Sequence, residues 1–215
     1  MTMSHPALGE QFPDLAHQAE TAEFGIWAFI ATEVLFLGGL FAAYTFYRYL
    51  HPAGVAAAAG HTKIVIGSAN TAILLTSSFF MSWASLAARA GDNRVCARVM
   101  AVAAALGTAF VALKGVEYAE EIGEHLWPGP SFSLDTAEPK AGEVFYFLYW
   151  LMTGVHALHL MIGIGAVAVI AWRARRGDFS PAYHTPVRVV SLYWHFVDVV
   201  WIFLFALIYL PGRGM

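Results

Sequence analysis

The chain has a single cysteine, Cys96, in 215 residues. That excludes an internal disulfide and any zinc, iron–sulfur or CxxC chemistry built on several thiolates. Charge is scarce as well: 13% of residues are charged against 59% hydrophobic, which leaves too little polar surface for an ordinary soluble domain. The first segment, Met1–Ala22, holds Glu10, Asp14 and Glu20 but no Lys or Arg. It matches neither a signal peptide nor a mitochondrial presequence, so the first apolar helix is expected to stay in the mature protein. No internal repeat suggests a transporter with inverted halves. A net charge of −3 gives no reason to expect a nucleic-acid partner.

What the chain does have is long apolar runs. Five of them, roughly 24–49, 64–88, 95–117, 143–172 and 189–210, are each long enough to cross a bilayer as a helix with some tilt. A barrel would show segments of about 10 residues with alternating polarity, and Ala101-Val102-Ala103-Ala104-Ala105-Leu106 does not alternate. The expected fold is all-α, five transmembrane helices in one membrane domain spanning 1–215. Between the spans, the Ala/Gly-rich stretch His51–Gly60 and the Pro-rich stretch Trp127–Pro139 read as irregular loops.

Loop charge orients such a bundle, because Lys and Arg accumulate on the cytoplasmic side. Arg89, Arg94, Arg98, Arg173, Arg175, Arg176 and Arg188 fall on one side, against Arg48, Lys63, Lys140 and Arg213 on the other. The long third-to-fourth loop is acidic, with Glu120, Glu121, Glu124, Asp135 and Glu138. This predicts a cytoplasmic N-terminus and a periplasmic C-terminus.

Ionisable groups inside spans cost on the order of 3 kcal/mol or more at mid-bilayer and face the bundle interior or a partner. Here they are Glu33 in the first span, Lys114 and Glu117 in the third, His156 and His159 in the fourth, and His195 with Asp198 in the fifth. Counting helical rise, Glu33 sits about 14 Å deep and His195 and Asp198 about 10 and 15 Å deep, and the fourth helix brings its histidines to a similar level. These groups are expected to be able to meet. Glu33 has no basic residue in its helix segment, and desolvation penalises the charged form of a lone carboxyl.

Lys114 and Glu117 share a helical face at i, i+3 and are expected to form an ion pair near the outer surface. His156-x-x-His159 has the spacing of a two-imidazole metal site, but membrane metal enzymes need more ligands than this chain supplies. Interhelical hydrogen bonding is the preferred role, and no metal is expected. His195 and Asp198 suit either a proton relay or, preferably, a pair that locks the fifth helix to a neighbour. Asn70, Thr71, Thr76, Ser77 and Ser78, with Gly154 and Gly163, are of the kind that lets membrane helices approach closely. Trp201 lies too deep for an interfacial belt and is expected to face a partner subunit.

Together these residues form an ordered pattern: WAFIATEVLF from Trp27 to Phe36, NTAILLTSS from Asn70 to Ser78, GTAF from Gly107 to Phe110 leading to Glu117-Tyr118, TGVHALH from Thr153 to His159 followed by Gly163, and YWHFVDVVW from Tyr193 to Trp201. In this order the chain resembles subunit III of the haem-copper oxidases, the cytochrome c oxidase polypeptide III family, in a five-helix bacterial form. The resemblance covers all five spans. It implies that Glu33 occupies the family's carbodiimide-reactive position, and that His159, His195 and Asp198 match its histidine and aspartate positions. Lys114, where family members often carry Gln, and Ala157, where Gly is usual, look closer to the branch associated with nitric oxide reductase.

The resemblance implies a subunit of a cytochrome c or quinol oxidase with no catalytic centre and no cofactor of its own, haem and copper being held by partner subunits. The expected partners are the catalytic subunit I, subunit II and phospholipids, in a bacterial inner membrane. The expected role is to stabilise subunit I, bind lipid and support proton uptake, with Glu33, His156, His159, His195 and Asp198 as the proton-related or lipid-cleft candidates. An accessory subunit of nitric oxide reductase and a stand-alone proton pathway are the alternatives.

Overall fold

Helix boundaries in this chain follow from caps and prolines. Asp14 accepts a hydrogen bond from the His17 N–H, and Asp92 accepts from the Arg94 and Val95 N–H groups, each satisfying donors that a first turn leaves free. Pro52, Pro139 and Pro186 sit in first turns, where a missing N–H costs nothing. The computed structural model describes residues 8–211 and 213. It contains helices α1 (Leu15–Leu50), α2 (Pro52–Gly60), α3 (Ile64–Arg89), α4 (Asn93–Gly123), α5 (Pro139–Arg175) and α6 (Thr185–Ile208). All but α2 are long and apolar enough to cross a membrane, and each falls on one of the five predicted spans.

The stretch His51–Gly60, read from sequence as irregular, is in fact mostly helix α2. Alanine is the best helix former, and the short element is held by tertiary partners: Val55, Ala58 and Ala59 are buried against the rest of the chain. The Arg213 guanidinium donates to the carbonyls of Ala59, Gly60 and Thr62, closing the end of α2 where carbonyls lack partners.

Four helices form a ring in which α3 touches α4 and α6, and α5 touches α4 and α6. α1 leans on the outside of this ring, against α6 and α5. Almost all of its apolar surface stays open, with Phe24 76% and Leu35 78% exposed. Such a surface is stable in hydrocarbon and costly in water.

Lipid tails are as apolar as leucine, so tight packing and interhelical hydrogen bonds must hold the ring together. Trp194 supplies both. Its indole lies against Gly107 of α4 and Gly163 of α5, and its Nε1–H donates to the Ser77 hydroxyl, 3.1 Å away on α3. Ser77 in turn donates to the Ala103 carbonyl of α4. A Cβ at Gly107 would stand 2.7 Å from the Trp194 ring, so this position admits nothing larger than glycine unless the indole moves. Gly154, read from sequence as a packing residue, has open space around it among the described residues.

Candidate functional site

The two candidates that sequence could place at one depth but not in one orientation do meet. Glu33 lies midway along α1 and His159 midway along α5, and α1 leans on α5 so that Glu33 Oε2 is 3.1 Å from His159 Nε2. The side chains are only 18% and 16% exposed. His159 Nδ1 is 2.9 Å from the Val155 carbonyl of its own helix, and a carbonyl can only accept, so Nδ1 carries a proton. The proton in the Glu33–His159 contact then belongs either to the carboxyl, facing a neutral imidazole, or to Nε2, facing a carboxylate. In both arrangements the pair as a whole is neutral, which is the condition for holding two titratable groups at this depth.

The backbone that carries His159 is tied to α6. The Tyr193 hydroxyl of α6 donates to the His159 carbonyl at 2.9 Å. Leu37, Phe196, Val197 and Val200 close the bundle side of the pair around a gap with no room for a water molecule.

His195 is bound separately. Its Nδ1 is 2.6 Å from the Ser78 hydroxyl, and its Nε2 lies 3.3 Å from Ser82 and 3.4 Å from Ser191. Two hydroxyls on α3 and one on α6 thus surround the imidazole. Asp198, one turn on, is 4% exposed, and among the described residues neither carboxyl oxygen has a hydrogen-bond partner of good geometry. Trp201 does not face outward as expected from sequence. It is buried in the ring, donates to Thr71 at 3.0 Å, and stands edge-on to Phe110.

His156, three residues before His159, points into the ring instead of toward Glu33. It sits between Phe110 and Trp201, with centroids 5.6 and 5.2 Å away, and among the described residues neither ring nitrogen has a hydrogen-bond partner. Its surroundings therefore supply aromatic faces and no second ligand. Among the described residues no group of three or more His, Cys, Asp or Glu is placed to hold a metal ion.

The Lys114–Glu117 ion pair forms, at 3.0 Å, and is buried inside the bundle: the side chains are 2% and 0% exposed. Lys114 Nζ also donates to the hydroxyls of Tyr149 (2.7 Å) and Tyr209 (2.6 Å). Tyr209 donates to Glu117 at 2.7 Å, and Tyr149 lies 2.7 Å from Glu121 and 3.2 Å from Glu117. The ammonium stands over the faces of Tyr118, Tyr149 and Tyr209 at 4.6 to 5.3 Å, where the ring quadrupole attracts it.

From sequence, Glu121 is expected in the acidic third-to-fourth loop. α4 continues past it to Gly123 and buries it. The spacing Lys114, Glu117, Glu121 repeats one helical face, and that was the available signal.

Comparison with known proteins places this geometry in a family. The family described as cytochrome c oxidase subunit III matches residues 16–213, a stretch that takes in all five long helices, Glu33, His159, the His195–Asp198 segment and the Lys114 cluster. The chain belongs to this family. A cytochrome c oxidase subunit 3 from Thermostichus vulcanus is 36% identical over 205 residues, covering 92% of each chain. One from Synechocystis sp. is 35% identical, covering 87% of this chain and 74% of the relative. A probable cytochrome c oxidase subunit 3 from Nocardia farcinica is 35% identical, covering 86% and 84%. Membership makes the chain a haem-copper oxidase subunit III, a multi-pass membrane component of an oxidase complex.

Proposed function

We propose that this chain is the non-catalytic subunit III of a bacterial terminal oxidase, packed beside a catalytic subunit I and accompanied by subunit II. Haem and copper, and with them the reduction of oxygen, reside in those partners. The chain stabilises subunit I, offers its open apolar α1 surface to phospholipid, and supports proton uptake through Glu33 and His159. The observation that carries the reading is the Glu33–His159 contact at 3.1 Å with His159 Nδ1 engaged by Val155. It keeps one exchangeable proton at mid-membrane depth on a helix that leans only lightly on the rest. The bilayer is the inner membrane, with the seven arginines at the start of α4, the end of α5 and their flanks on the cytoplasmic side.

Solubilising membranes and purifying a tagged chain tests the assignment: a haem-containing subunit should accompany it, and its absence would refute the reading. Within that complex, Glu33→Gln keeps volume and one hydrogen bond to His159 while removing the titratable group. Subunit stoichiometry and the visible spectrum should be unchanged, and proton uptake slower or the active lifetime shorter. If both kinetic readouts match the parent, Glu33 has no role in proton supply. A periplasm-reporting enzyme fused after the last residue should be active, and activity only for a fusion in the 176–184 loop would reverse the orientation.

A further inference from the structure

In the buried cluster toward the C-terminal end of α4, two carboxyls, Glu117 and Glu121, share one ammonium, that of Lys114. The three side chains are sealed, at 0%, 1% and 2% exposed. Among the described residues, Tyr118, Tyr146, Tyr149, Tyr209 and Glu124 are the other titratable groups that face Glu121, and none of them supplies a second cation. The nearby Lys63 ammonium is engaged by Glu124 at 2.6 Å, at the partly exposed edge. With both carboxyls ionised the cluster would keep an unbalanced negative charge away from water. A buried group in that position gives up its charge by taking a proton.

The two carboxyls are not equivalent. Glu117 has a donor at each oxygen, Lys114 Nζ on Oε2 at 3.0 Å and the Tyr209 hydroxyl on Oε1 at 2.7 Å, which suits an ionised carboxylate. Glu121 has only the Tyr149 hydroxyl, 2.7 Å from Oε1, and among the described residues its buried Oε2 has no partner. That hydroxyl already accepts from Lys114 at 2.7 Å and has a single hydrogen to give. If Glu121 Oε1 carries a proton, it donates to Tyr149, and Tyr149 donates onward to Glu117 Oε1 at 3.2 Å. Every hydrogen then has an acceptor and every charge a counter-charge.

We propose that Glu121 is a second proton-binding site, holding one exchangeable proton that the Tyr149 hydroxyl links to Glu117. Transfer along this line balances: as the Glu121 O–H bond breaks, its proton bonds to the Tyr149 oxygen, and the hydrogen that Tyr149 carried passes to Glu117, with no electron moved. Tyr149 belongs to α5 and Tyr209 follows α6, so this proton governs how the cluster ties α4 to both. The site is separate from Glu33 and His159, which meet where α1 leans on α5, and it does not depend on their role in proton supply.

The test is infrared difference spectroscopy of the purified oxidase complex at neutral pH, parent against Glu121→Gln, which keeps nearly the volume of a neutral Glu121 and a hydrogen bond to Tyr149. The parent should show one C=O band of a protonated carboxyl that the variant lacks, and the band should shift when the complex is moved into heavy water. Tyr149→Phe should keep the band and move it to higher frequency, because the acid loses its acceptor. Glu121→Asp, which keeps an acid on a shorter arm, should shift the band instead of removing it, and serves if the Gln variant does not assemble. A difference spectrum holding only carboxylate bands would place an ionised Glu121 in the cluster and overturn the proposal. So would a band that heavy water never shifts, since the proton would then be fixed, or a band that Tyr149→Phe leaves unmoved.

Discussion

Replacing Lys114 with methionine tests the buried cluster most sharply. The ammonium makes three charge-assisted contacts, to Glu117, Tyr149 and Tyr209, at 2.6 to 3.0 Å. At about 1.5–3 kcal/mol each, these would sum to roughly 5–9 kcal/mol. The variant no longer has to desolvate an ammonium, which offsets several kcal/mol of that loss. What remains is an uncompensated Glu117 with no exposed surface, and breaking a buried pair in this way costs about 3–5 kcal/mol.

For a chain of this size each kcal/mol is worth about 2–4 °C, so Lys114→Met should lower the melting temperature by roughly 6–20 °C. Adding Glu117→Gln removes the orphaned charge while keeping an acceptor for Tyr209, and should restore roughly half or more of the loss. The assay is the fraction of monodisperse complex surviving a heating series in mild detergent, read by size-exclusion chromatography. A single variant as stable as the parent, or a double variant no better than the single, would show that the cluster is not held by compensated charge.

Two further outcomes follow from the same geometry. Gly107→Ala places a Cβ 2.7 Å from the Trp194 ring and should cost about 1–3 kcal/mol in the same heating series; no change would mean the indole is free to shift. Lys63→Met, by contrast, removes a partly exposed pair with Glu124 at 2.6 Å and should change stability by less than about 1 kcal/mol. The Glu124 hydrogen bond holds the Lys63 ammonium above its ordinary lysine value. Its contribution is therefore present at neutral pH and below, and is lost only as alkaline pH passes the raised value. A parent–variant difference that persists at high alkaline pH would contradict this.

The five spans were legible because hydropathy reports which residues lipid can touch. Helix ends were not, because they answer to caps and buried partners. Polarity rises after Glu117, the expected end of the third span, yet α4 continues to Gly123, and Tyr149 receives Glu121 inside the bundle. The fourth apolar run starts at Glu143, whereas Pro139 starts the helix.

For the candidate site, depth could be counted from rise per residue but rotation could not. Glu33 and His159 therefore shared a level on paper, and only the packing of α1 on α5 shows that they touch. His156 and His159, three residues apart, divide between the ring interior and α1 because the interval is short of a full turn and each side chain found a different neighbour. Sequence distinguished neither fate, nor that Trp201 is sealed inside the bundle.

The Val155 carbonyl that engages His159 Nδ1 has a consequence for traffic. An imidazole hands protons along a wire by accepting at one nitrogen and releasing from the other, and here the second nitrogen is fastened to its own backbone. A proton arriving at Nε2 can leave only by the way it came, or after the ring rotates and gives up its bonds to Val155 and Glu33. On the proposed reading the pair would serve proton uptake as a store beside a pathway, because this hydrogen-bonded arrangement gives the imidazole no second exit for a proton.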